Sequence, residues 1–592
     1  MSDRAFDNLA SMFARSVKHH AAQPLFGVAR PNGWRWYSYA EVGELVDACR
    51  GGLAAAGVGH GDRVGLISTN SVWWAVTTYA CYGLGAVIVP MYENEHPDTW
   101  RFICRDAGVA LVVCARTSTA ERLRSGWSSG PEPQLVVVDR PPSDDASFEA
   151  LLMRGRATPA ETIAIDRADL ASFIYTSGTT GEPKGVELSH ENICSNIAAL
   201  HELLPLTHQD RSLSFLPWAH SFGHTCELHT LVALGSSLAL CDDVEKLLHH
   251  LGEVQPTVLV SVPRIFNRLY HRIGRNMQRR PPFVRKMFDR GVRLARKRRH
   301  GMLALNEAAQ LAAIDRLVFS RIRGALGGRL RYAFSGGAAL EPEVAELIDS
   351  VGITVYEGYG LTETSPVVTS NGPHGHRLGS AGKTIDGVRV HIDHTGREQQ
   401  RAGEVIVYGP GLMRGYHGRA DETAAVMTDD GGLRTGDLGY LDSEGFLYIT
   451  GRIKEQYKLQ NGKYVTPAPL EETLKLSPYI NNLLIYGAGQ DHNVALVVPD
   501  VDALSAWAEQ RKLHFGGTAE MLSSQRVVAH ILADIGERST QFRNFEYIKR
   551  IALIEQDFTI DNGMLTPTMK IRRRVIVDTY RDQIESLYGD AP

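Results

Sequence analysis

A glycine- and threonine-rich stretch has the composition of a loop that holds phosphate groups. It runs from Tyr175 to Gly185 and contains three glycines, four Ser or Thr hydroxyls and one lysine. Glycine permits backbone conformations in which successive N–H groups point at one anion, and hydroxyls and an ammonium add donors. The alternative is a glycine-rich surface turn. The candidate phosphate-binding residues are Thr176, Ser177, Gly178, Thr179, Thr180, Gly181 and Lys184.

The stretch differs from a Walker loop in the residue that follows its lysine. A Walker loop has Ser or Thr there, which holds Mg²⁺, and it continues directly into a helix. Here Gly185 follows Lys184, and the flanking runs 171–175 and 185–189 have the apolar pattern of strands. The sequence therefore predicts a strand–loop–strand connection and a metal ligand elsewhere in the chain.

The stretch 356–364 carries residues suited to a nucleotide base and to a metal ion. A glycine on each side of Tyr359 lets its flat ring pack against a base, and Glu363 offers the carboxylate oxygen that Mg²⁺ prefers. An ordinary surface carboxylate is the alternative for Glu363. Further candidate nucleotide-binding residues in and before this stretch are Gly336, Gly337, Ala338 and Gly360.

Two later segments complete the set of chemistry-bearing residues. Asp437 lies in the polar turn 434–440, where a carboxylate can accept hydrogen bonds from both hydroxyls of a ribose. Arg452, one predicted strand later, can reach the same sugar. Lys570 lies in the basic tail 561–574, for which a solvated charged face is the alternative. Together the four stretches predict a nucleotide site.

The composition is that of a globular protein in a reducing compartment. The chain has 592 residues, and 63 basic against 67 acidic residues give a net charge of −4, without the basic excess of a nucleic-acid binder. Its seven cysteines are scattered and form no Cys-x-x-Cys pair. We therefore expect a cytoplasmic protein with no nucleic-acid partner.

Alternating strands and helices predict an α/β fold for the first 165 residues. Residues 64–92 contain no charged side chain and are long enough to span a bilayer. They divide, however, into a strand over 64–68, a helix that begins at Val72 after the cap residues Asn70 and Ser71, and a second strand. This order predicts a mostly parallel sheet covered on both faces rather than a membrane span.

One segment is strongly basic. Residues 268–299 contain thirteen Lys or Arg and a single acid, Asp289, and Pro281 and Pro282 open a helix with an apolar stripe. A helix packed on the body with a solvated basic face is one interpretation. Attraction to anionic lipid or to a polyphosphate ligand is the other. On the second interpretation, this segment makes peripheral contact with the inner face of a membrane.

The predicted pattern of strands and helices changes in the last third of the chain. Residues 379–450 have the short strands and turns of a small β-rich subdomain. A linker follows at 451–454, and the remainder to 592 has the pattern of a compact α+β unit.

These stretches, in this order, resemble the signature motifs of the ANL superfamily of adenylate-forming enzymes, which includes acyl-CoA synthetases, peptide-synthetase adenylation domains and luciferases. The matching stretches are Tyr175–Gly185, Tyr356–Thr364, Thr435–Asp437, Gly451–Thr466 and Lys570. Within the superfamily, the basic insertion and three further segments are similar to long-chain fatty acyl-CoA synthetases. These three segments are 216–220, 458–465 and 562–570.

The resemblance implies an α/β fold in two parts. The large N-terminal adenylation (AMP-binding) domain, residues 1–452, would contain two βαβ-type subdomains plus a small β-barrel-like subdomain. The C-terminal domain, residues 453–592, would be a smaller, mobile α+β unit that carries the catalytic lysine.

The resemblance also implies a reaction in two steps. ATP activates a carboxylate to an acyl-AMP with release of pyrophosphate, and the acyl group then passes to CoA with release of AMP. Lys570 would bridge the carboxylate and the α-phosphate, while Thr362 and Glu363 with Mg²⁺ would stabilise the pentavalent phosphorus. His220 would form a wall of the acyl pocket. The expected cofactors are ATP, Mg²⁺ and CoA.

The second step in this family uses a rotation of the C-terminal domain. The hinge would lie at Lys454, and the loop at Gly462 would move to the pantetheine channel. The expected substrates are CoA and a long-chain fatty acid, although His224 stands where some bacterial relatives place a tryptophan that gates the fatty-acid tunnel. An acyl-AMP ligase that loads a separate acyl carrier protein, and a nucleotide-binding regulator without turnover, are the alternatives.

Overall fold

The protein is described by a computed structural model that covers residues 6–176, 182–395, 401–560, 562–566 and 570–589. Five residues predicted to contact phosphate, Ser177, Gly178, Thr179, Thr180 and Gly181, lie outside these described residues.

Strands and helices alternate through the N-terminal two thirds of the chain. The strands are β1 Pro24–Arg30, β2 Gly33–Ser38, β3 Arg63–Ile67, β4 Val87–Met91, β5 Val109–Cys114, β6 Gln134–Val137, β7 Leu170–Thr176, β8 Lys184–Ser189, β9 Arg211–Ser214, β10 Ser237–Leu240, β11 Val258–Ser261, β12 Tyr332–Ser335, β13 Thr354–Gly360, β14 Val367–Ser370, β15 Lys383–Thr384, β16 Arg389–Asp393, β17 Gly403–Tyr408, β18 Gly415–Tyr416, β19 Leu433–Leu441, β20 Leu447–Arg452, β21 Tyr457–Lys458, β22 Tyr464–Val465, β23 Ile480–Tyr486, β24 Asn493–Pro499 and β25 Ile548–Leu553.

The α-helices are α1 Leu9–His20, α2 Tyr39–Ala55, α3 Val72–Gly83, α4 Pro97–Asp106, α5 Thr117–Arg124, α6 Phe148–Ala157, α7 His190–Leu203, α8 Thr230–Leu234, α9 Leu247–Val254, α10 Pro263–Gln278, α11 Pro282–Arg299, α12 Leu305–Ile314, α13 Ser320–Gly324, α14 Pro342–Ser350, α15 Ala420–Val426, α16 Pro467–Leu474, α17 Val501–Gln510, α18 Thr518–Ser523, α19 Gln525–Arg538, α20 Arg573–Thr579 and α21 Arg581–Ser586. Two π-helical segments occur at Phe222–His229 and Asp315–Phe319, and short 3₁₀ turns at Val244–Lys246, Thr362–Thr364, Ile453–Glu455 and Asn544–Glu546.

Two large sheets form the N-terminal part, and both are mostly parallel, as the α/β pattern predicts. Among the described residues one sheet has the order β15-β14-β13-β12-β11-β9-β10-β1-β2, and the other has the order β18-β8-β7-β4-β3-β5-β6. Antiparallel strands lie only toward their edges, at β2, β14, β15, β8 and β18. The uncharged stretch 64–92 contributes β3, α3 and β4 to the second sheet, and the Ser71 hydroxyl caps α3, as predicted.

The predicted strand–loop–strand connection is confirmed. Strands β7 and β8 pair antiparallel, with Tyr175 opposite Gly185 and Thr176 opposite Lys184. A Cβ atom on Gly185 would lie 2.9 Å from Cζ of the Tyr175 ring. Because real Cβ contacts are almost never this close, the hairpin requires glycine after Lys184, where a Walker loop has a hydroxyl-bearing residue.

The β-rich region forms an open antiparallel sheet. Its order within the described residues is β16-β17-β19-β20, and the two outer strands β16 and β20 do not pair with each other there. The expectation of a barrel-like subdomain therefore needs correction, since four strands without closure make a sheet and not a barrel.

The C-terminal part has its own hydrophobic core. Strands β23, β24 and β25 form one sheet, and alternate residues of β24 point to its two faces. Ala495 and Val497 join one buried cluster with α19, while Val494 and Leu496 join a second cluster with α20 and α21. The α+β pattern predicted for this part is confirmed.

The basic segment 268–299 folds as the end of α10 and all of α11. Phe288 and Ala295 of the predicted apolar stripe of α11 pack on the body together with Leu294, whereas Phe283 of that stripe is exposed. Opposite this stripe the helix is exposed and basic. Among the residues that the structure describes, every helix falls short of the length and apolar character that crossing a bilayer requires.

Candidate active site

The carboxyl ends of β11, β12 and β13 meet at one edge of the nine-stranded sheet, where ligands bind in open α/β sheets. The chain turns sharply after β12, and Gly337 has a φ of +84°, which favours glycine. The Gly336 backbone N–H donates to the Ser261 carbonyl oxygen at 3.2 Å. A Cβ atom on Gly336 would lie 2.9 Å from Cζ of Phe222. Both glycines predicted in this turn are therefore required by its geometry.

A buried carboxylate, which the sequence analysis missed, holds this turn in place. Glu357 lies opposite Ser335 on β13 and accepts the backbone N–H groups of Leu340 at 3.4 Å and Gly379 at 3.2 Å. Burial raises the pKa of Glu357 to about 7, against the lowering effect of these two hydrogen bonds. Glu357 thus ties the segment after the Gly336 turn to the strand that carries Tyr359.

The structure brings three predicted nucleotide-binding residues into direct contact. Asp437 is buried on β19, and its two carboxylate oxygens accept from the Tyr359 hydroxyl at 2.7 Å and from Arg452 Nε at 2.8 Å. Strands β19 and β20 place Asp437 directly opposite Arg452. An ionised carboxylate offers about four acceptor sites, so Asp437 keeps capacity for a further donor such as a sugar hydroxyl.

Electrostatics fix the charge states of this cluster. Burial would lower the pKa of the Arg452 guanidinium, but the facing Asp437 carboxylate and other nearby acids outweigh it and raise that pKa. Arg452 therefore stays protonated. Burial raises the pKa of the Tyr359 hydroxyl far above its usual range, and the Asp437 charge adds to the effect, so Tyr359 remains a hydrogen-bond donor.

Lys184 and Glu363 lie on the two sides of one tyrosine that the sequence analysis did not single out. The Tyr416 hydroxyl donates to Glu363 Oε1 at 2.9 Å, and Lys184 Nζ lies 5.1 Å from the centre of the Tyr416 ring. Lys184 also forms an ion pair with Glu422 on α15. Strand β18, which carries Tyr416, pairs with β8, which begins at Lys184, and that pairing explains the proximity.

Glu363 fits the role of a ligand for a hard cation. It lies on the 3₁₀ turn Thr362–Thr364, half-buried, with the Tyr416 hydroxyl orienting one carboxylate oxygen. Within the described residues no cluster of three or more His, Cys, Asp or Glu side chains could hold a metal by itself. This suits Mg²⁺, which typically binds through one or two carboxylates plus substrate phosphates.

Thr362 and His220 approach the same region from different elements. The Thr362 hydroxyl lies 3.1 Å from the Ser221 hydroxyl, which follows His220 directly. The His220 ring accepts the Phe222 N–H at Nδ1. Burial, with the positive charge of Lys570 as second cause, lowers the pKa of His220 to about 3. His220 is therefore a neutral imidazole at physiological pH.

Lys570 reaches this site from the C-terminal part of the chain. Its backbone is fixed by Thr566, whose N–H donates to the Lys570 carbonyl at 2.8 Å and whose hydroxyl accepts the Lys570 N–H at 3.1 Å. Lys570 is exposed to solvent. Desolvation by the nearby protein and then the Arg452 charge lower the pKa of Lys570, while the Asp437 charge and, more weakly, the Glu455 and Glu363 charges oppose the lowering.

Two predicted residues of the C-terminal part stay apart from this cluster. Lys454 is exposed on the 3₁₀ turn Ile453–Glu455, and Gly462, with a φ of +83°, is exposed in the turn between β21 and β22. No hydrogen bond or ion pair within the described ranges joins their side chains or backbone to the other candidate residues. Their predicted roles in a second step stay predictions.

A buried acidic network, also missed from the sequence, positions the segment that carries His220. Glu227 lies fully buried on the π-helix Phe222–His229, and its two oxygens accept from the Ser212 and Ser214 hydroxyls, each at 2.6 Å. Asn70 donates to the Ser214 hydroxyl, and its Oδ1 accepts the Trp218 N–H at 2.8 Å. A carboxylate within an apolar stretch next to a histidine motif was the available signal.

An apolar cavity lies beside the cluster. It has a volume of about 30 Å³, enough for about two water molecules. The cavity wall is formed by Leu200, Leu204, Leu206, Phe222, Cys226, Leu231, Val260, Phe334, Ser335, Tyr356, Gly358, Val367 and Ser370. His224 does not line it, because His224 is fully buried elsewhere and contacts the Tyr82 hydroxyl at 3.1 Å. Phe222 and Cys226, one helical turn apart, present the π-helix to the cavity instead.

Family comparisons match nearly the whole chain. Residues 13–417 match the family described as AMP-binding enzyme, and residues 454–592 match the AMP-binding enzyme C-terminal domain.

Relatives of known name are similar over almost the full length. The chain is 33% identical to peroxisomal long chain acyl-CoA synthetase 6 of Arabidopsis thaliana, over 94% of this chain and 82% of that protein. It is 31% identical to the long-chain-fatty-acid–CoA ligase FadD15 of Mycobacterium bovis, over 98% of this chain and 97% of that protein. Identity to human long-chain-fatty-acid–CoA ligase 1 is 30%, over 98% of this chain and 86% of that protein.

Solved structures share the fold at lower identity. ATP-bound MatB from Rhodopseudomonas palustris superposes with a TM-score of 0.70 at 24% identity, covering 98% of this chain and all of that one. The A domain of the carboxylic acid reductase from Segniliparus rugosus, in complex with AMP, gives a TM-score of 0.77 at 20% identity, covering 98% of this chain and 94% of that one. The chain thus shares the fold of these structures, with a large N-terminal and a smaller C-terminal part, over nearly its whole length.

Proposed function

The chain belongs to the AMP-binding enzyme family and, within it, to the long-chain acyl-CoA synthetases, and from this premise we propose that it converts a long-chain fatty acid to its acyl-CoA thioester. ATP first activates the carboxylate to acyl-AMP with release of pyrophosphate. The thiol of CoA then attacks the mixed anhydride, giving acyl-CoA and AMP. The observation that carries the proposal is the contact of Asp437 with the Tyr359 hydroxyl and with Arg452, which brings three separate motifs of the chain together.

In the first step two anions must meet, so the site acts chiefly by neutralising charge and by positioning. The Lys570 ammonium bridges the fatty-acid carboxylate and the α-phosphate oxygens. Asp437 accepts from the ribose hydroxyls beside Arg452. Lys184, released from Glu422, contacts the departing phosphates. The Thr362 hydroxyl donates to the α-phosphate.

Magnesium would be held by Glu363 together with the ATP phosphates, and it would neutralise phosphate charge. The Tyr416 hydroxyl keeps the Glu363 carboxylate oriented for this contact. The remaining predicted phosphate contacts come from the backbone and hydroxyls of the 176–181 loop, and Gly336, Gly337, Ala338 and Gly360 shape the nucleotide pocket.

The second step requires that the C-terminal domain moves as a unit, and we place the boundary between the two domains between residues 452 and 453. The C-terminal unit rotates about Lys454, withdraws Lys570 and brings the Gly462 turn to the pantetheine of CoA. Support comes from the exposed positions of Lys454 and Gly462 and from the separate core of the C-terminal part. The acyl chain enters the apolar cavity beside Phe222, which must widen because its present volume is too small for a fatty chain. His220 forms the wall at the carboxylate end.

The named relatives are CoA ligases, which disfavours the alternatives of a carrier-protein ligase and of a regulator without turnover. One experiment separates all three. Purified protein is assayed for carboxylate-dependent ATP–pyrophosphate exchange across a panel of chain lengths, and AMP release is then compared with CoA and with a holo acyl carrier protein as acceptor. We expect exchange with long-chain acids and faster AMP release with CoA. Absence of exchange with every acid would exclude an enzyme of this class.

Peripheral contact with the inner face of a membrane is a second proposal, and it concerns the outer face of α11. Phe283 is 65% exposed there, and Leu305 at the start of the neighbouring α12 is 94% exposed, beside the basic side chains of α11. Apolar residues flanked by Lys and Arg suit the surface of an anionic bilayer in the cytoplasm. Replacing Phe283 and Leu305 by Ser should weaken sedimentation with phosphatidylglycerol vesicles at low salt. Replacing the exposed Met153, away from the basic segment, is the control.

A further inference from the structure

An open cleft of about 550 Å³ lies away from the candidate active site, between α10, α11 and α14 and the C-terminal part of the chain. Its volume falls in the range of small-molecule sites, about 300 to 1,000 Å³. None of its lining residues belongs to the candidate active site described above. The C-terminal contributions are Leu476, Pro478 and Arg538.

Two guanidinium groups in the cleft are left without an acidic partner. Arg275 on α10 and Arg293 on α11 both line the cleft, and no carboxylate within the described residues pairs with either. The other charged groups are mostly engaged. The engaged pairs are Arg296 with Glu346, Glu343 with Tyr270, and Arg538 with Asp534. Asp289 and Glu343 are the acids of the lining without a cationic partner among the described residues, and Glu343 already accepts from the Tyr270 hydroxyl. Arg275 and Arg293 are therefore the cations of the lining that remain available to an anion.

The floor of the cleft is apolar. Phe288 and Val292 of α11, Leu347 of α14, and Leu476 and Pro478 of the C-terminal part line it together. Small-molecule sites have this combination of a mainly apolar wall and a few convergent polar groups. Arginine is the residue best suited to bind a carboxylate or phosphate with two parallel hydrogen bonds.

We propose that this cleft is a binding site for a small anionic amphiphile, meaning a carboxylate or phosphate group carried on an acyl or aryl body. The anionic group lies between Arg275 and Arg293, and the body lies on Phe288, Val292 and Leu476. The inference goes beyond the proposed function, because binding here needs neither ATP nor turnover.

Because of the position of the cleft, a bound ligand would affect the movement of the C-terminal part. Its walls come from both sides of the proposed boundary at 452 and 453, and the same two parts are joined nearby by the Thr473 hydroxyl, which donates to Glu341 at 2.9 Å. A ligand that contacts both parts binds this arrangement better than one in which they have separated, so it shifts the population toward this arrangement. If the C-terminal part rotates as proposed, the ligand slows thioester formation more than adenylation.

Glycine at position 274 offers a clean way to fill the cleft. A Cβ atom on Gly274 would have no heavy atom within 4 Å, and the residue lies inside α10, where Phe favours the helix more than Gly does. Gly274→Phe therefore projects a ring into the cleft without strain. Gly252→Phe on α9 is the matched control, because Gly252 is also helical and also opens to free space.

The test is calorimetric titration of the full chain with dodecyl phosphate and, separately, with inorganic phosphate. We expect a binding component for dodecyl phosphate that weakens at least tenfold in Gly274→Phe and in the double variant Arg275→Ala, Arg293→Ala. Gly252→Phe and Arg279→Ala, an exposed arginine outside the cleft, should keep it.

Two outcomes would overturn the proposal. One is dodecyl phosphate affinity that stays unchanged in the double arginine variant, which alters only exposed side chains and so should fold normally. The other is inorganic phosphate binding as tightly as dodecyl phosphate, since the apolar floor would then contribute nothing. Dodecyl phosphate that binds only in the acyl cavity gives the first of these outcomes. Because neither readout depends on catalysis, loss of the proposed enzyme activity would not mimic them.

Discussion

The two sides of the candidate active site are built differently. On the N-terminal side Asp437 lies on a strand, is buried, and has both oxygens bonded to neighbours on other strands. On the C-terminal side Lys570 lies in an irregular segment before α20, is exposed, and is held through its backbone by Thr566. Within the described residues, no hydrogen bond or ion pair fixes its side chain.

This difference indicates a division of labour. A site that must keep a nucleotide through two steps benefits from preorganised groups on rigid strands. A group needed in one step only can be supplied from a separately folded unit and withdrawn afterwards. The following experiments test that contrast, starting with the largest expected effect.

Removing the lysine should abolish one half-reaction and spare the other. Lys570→Ala should reduce carboxylate-dependent ATP–pyrophosphate exchange by about 10²-fold or more, because it deletes a positive group that neutralises charge in the transition state. The same variant should still convert supplied acyl-AMP to acyl-CoA. Single-turnover assays of each step measure both.

The matched variant is Lys454→Ala, which changes an exposed lysine of the same part of the chain. It should leave exchange nearly intact and slow thioester formation. Equal loss of both steps in Lys570→Ala would remove the contrast between the two sides.

A change to the strand-borne residue Asp437 should weaken nucleotide binding in both steps of the reaction. Asp437→Asn keeps the shape of the side chain but removes the charge that faces Arg452 Nε at 2.8 Å. A hydrogen bond to a charged group contributes about 1.5 to 3 kcal/mol, so the KM for ATP should rise about tenfold to hundredfold. Asp442→Asn, which removes a partner of Arg377 at the end of the same strand pair, is the control. A similar rise in that control would mean that the effect is structural.

The buried carboxylate beneath the His220 segment should make stability depend on pH. Burial raises the pKa of Glu227 to about 7, above the usual 4.5, so between these values the folded protein holds a proton that the unfolded chain has lost. Its contribution to the free energy of unfolding is therefore full below pH 4.5 and falls by about 3 kcal/mol as pH rises to 7. Urea unfolding across this range should show a smaller fall in Glu227→Gln. If the free energy of unfolding of Glu227→Gln falls as much as that of the unmodified protein, the proton is bound at another residue. Glu132→Gln, at an exposed position, is the control.

The smallest expected effect is that of the Arg452 charge, on the N-terminal side, on the pKa of Lys570, on the C-terminal side. The Arg452 charge is one cause that lowers the pKa of Lys570, so Arg452→Gln should raise that pKa. The alkaline limb of kcat/KM for adenylation should then move to higher pH. Only the position of the limb is read, because Arg452 is also a proposed sugar contact. Arg434→Gln, whose partners are Asp393 and Glu404, should leave the limb in place.

Much of the fold followed from local pattern. The α3 helix after Ser71 and the β7–β8 hairpin agree with the sequence prediction. Each of these depends on a cap, a turn residue or a short apolar period, which are properties of neighbouring residues. The prediction of a barrel-like subdomain was wrong. Whether four strands close into a barrel depends on pairing between the two outer strands, and the pattern of neighbouring residues does not specify that pairing.

The sequence by itself singled out the candidate site residues, since Lys184, Glu363, Asp437 and Lys570 stand out by type and by the order of their motifs. Tertiary structure decided which of them meet and what supports them. Tyr416 and Glu227 lie outside the motifs, and Glu357 lies in the 356–364 stretch without a role predicted from its type. These residues matter because the fold brings them against Glu363, the His220 segment and the Gly336 turn. Hydrogen bonds and pKa shifts depend on separation in space and on burial, and only the folded chain sets these for residues far apart in sequence.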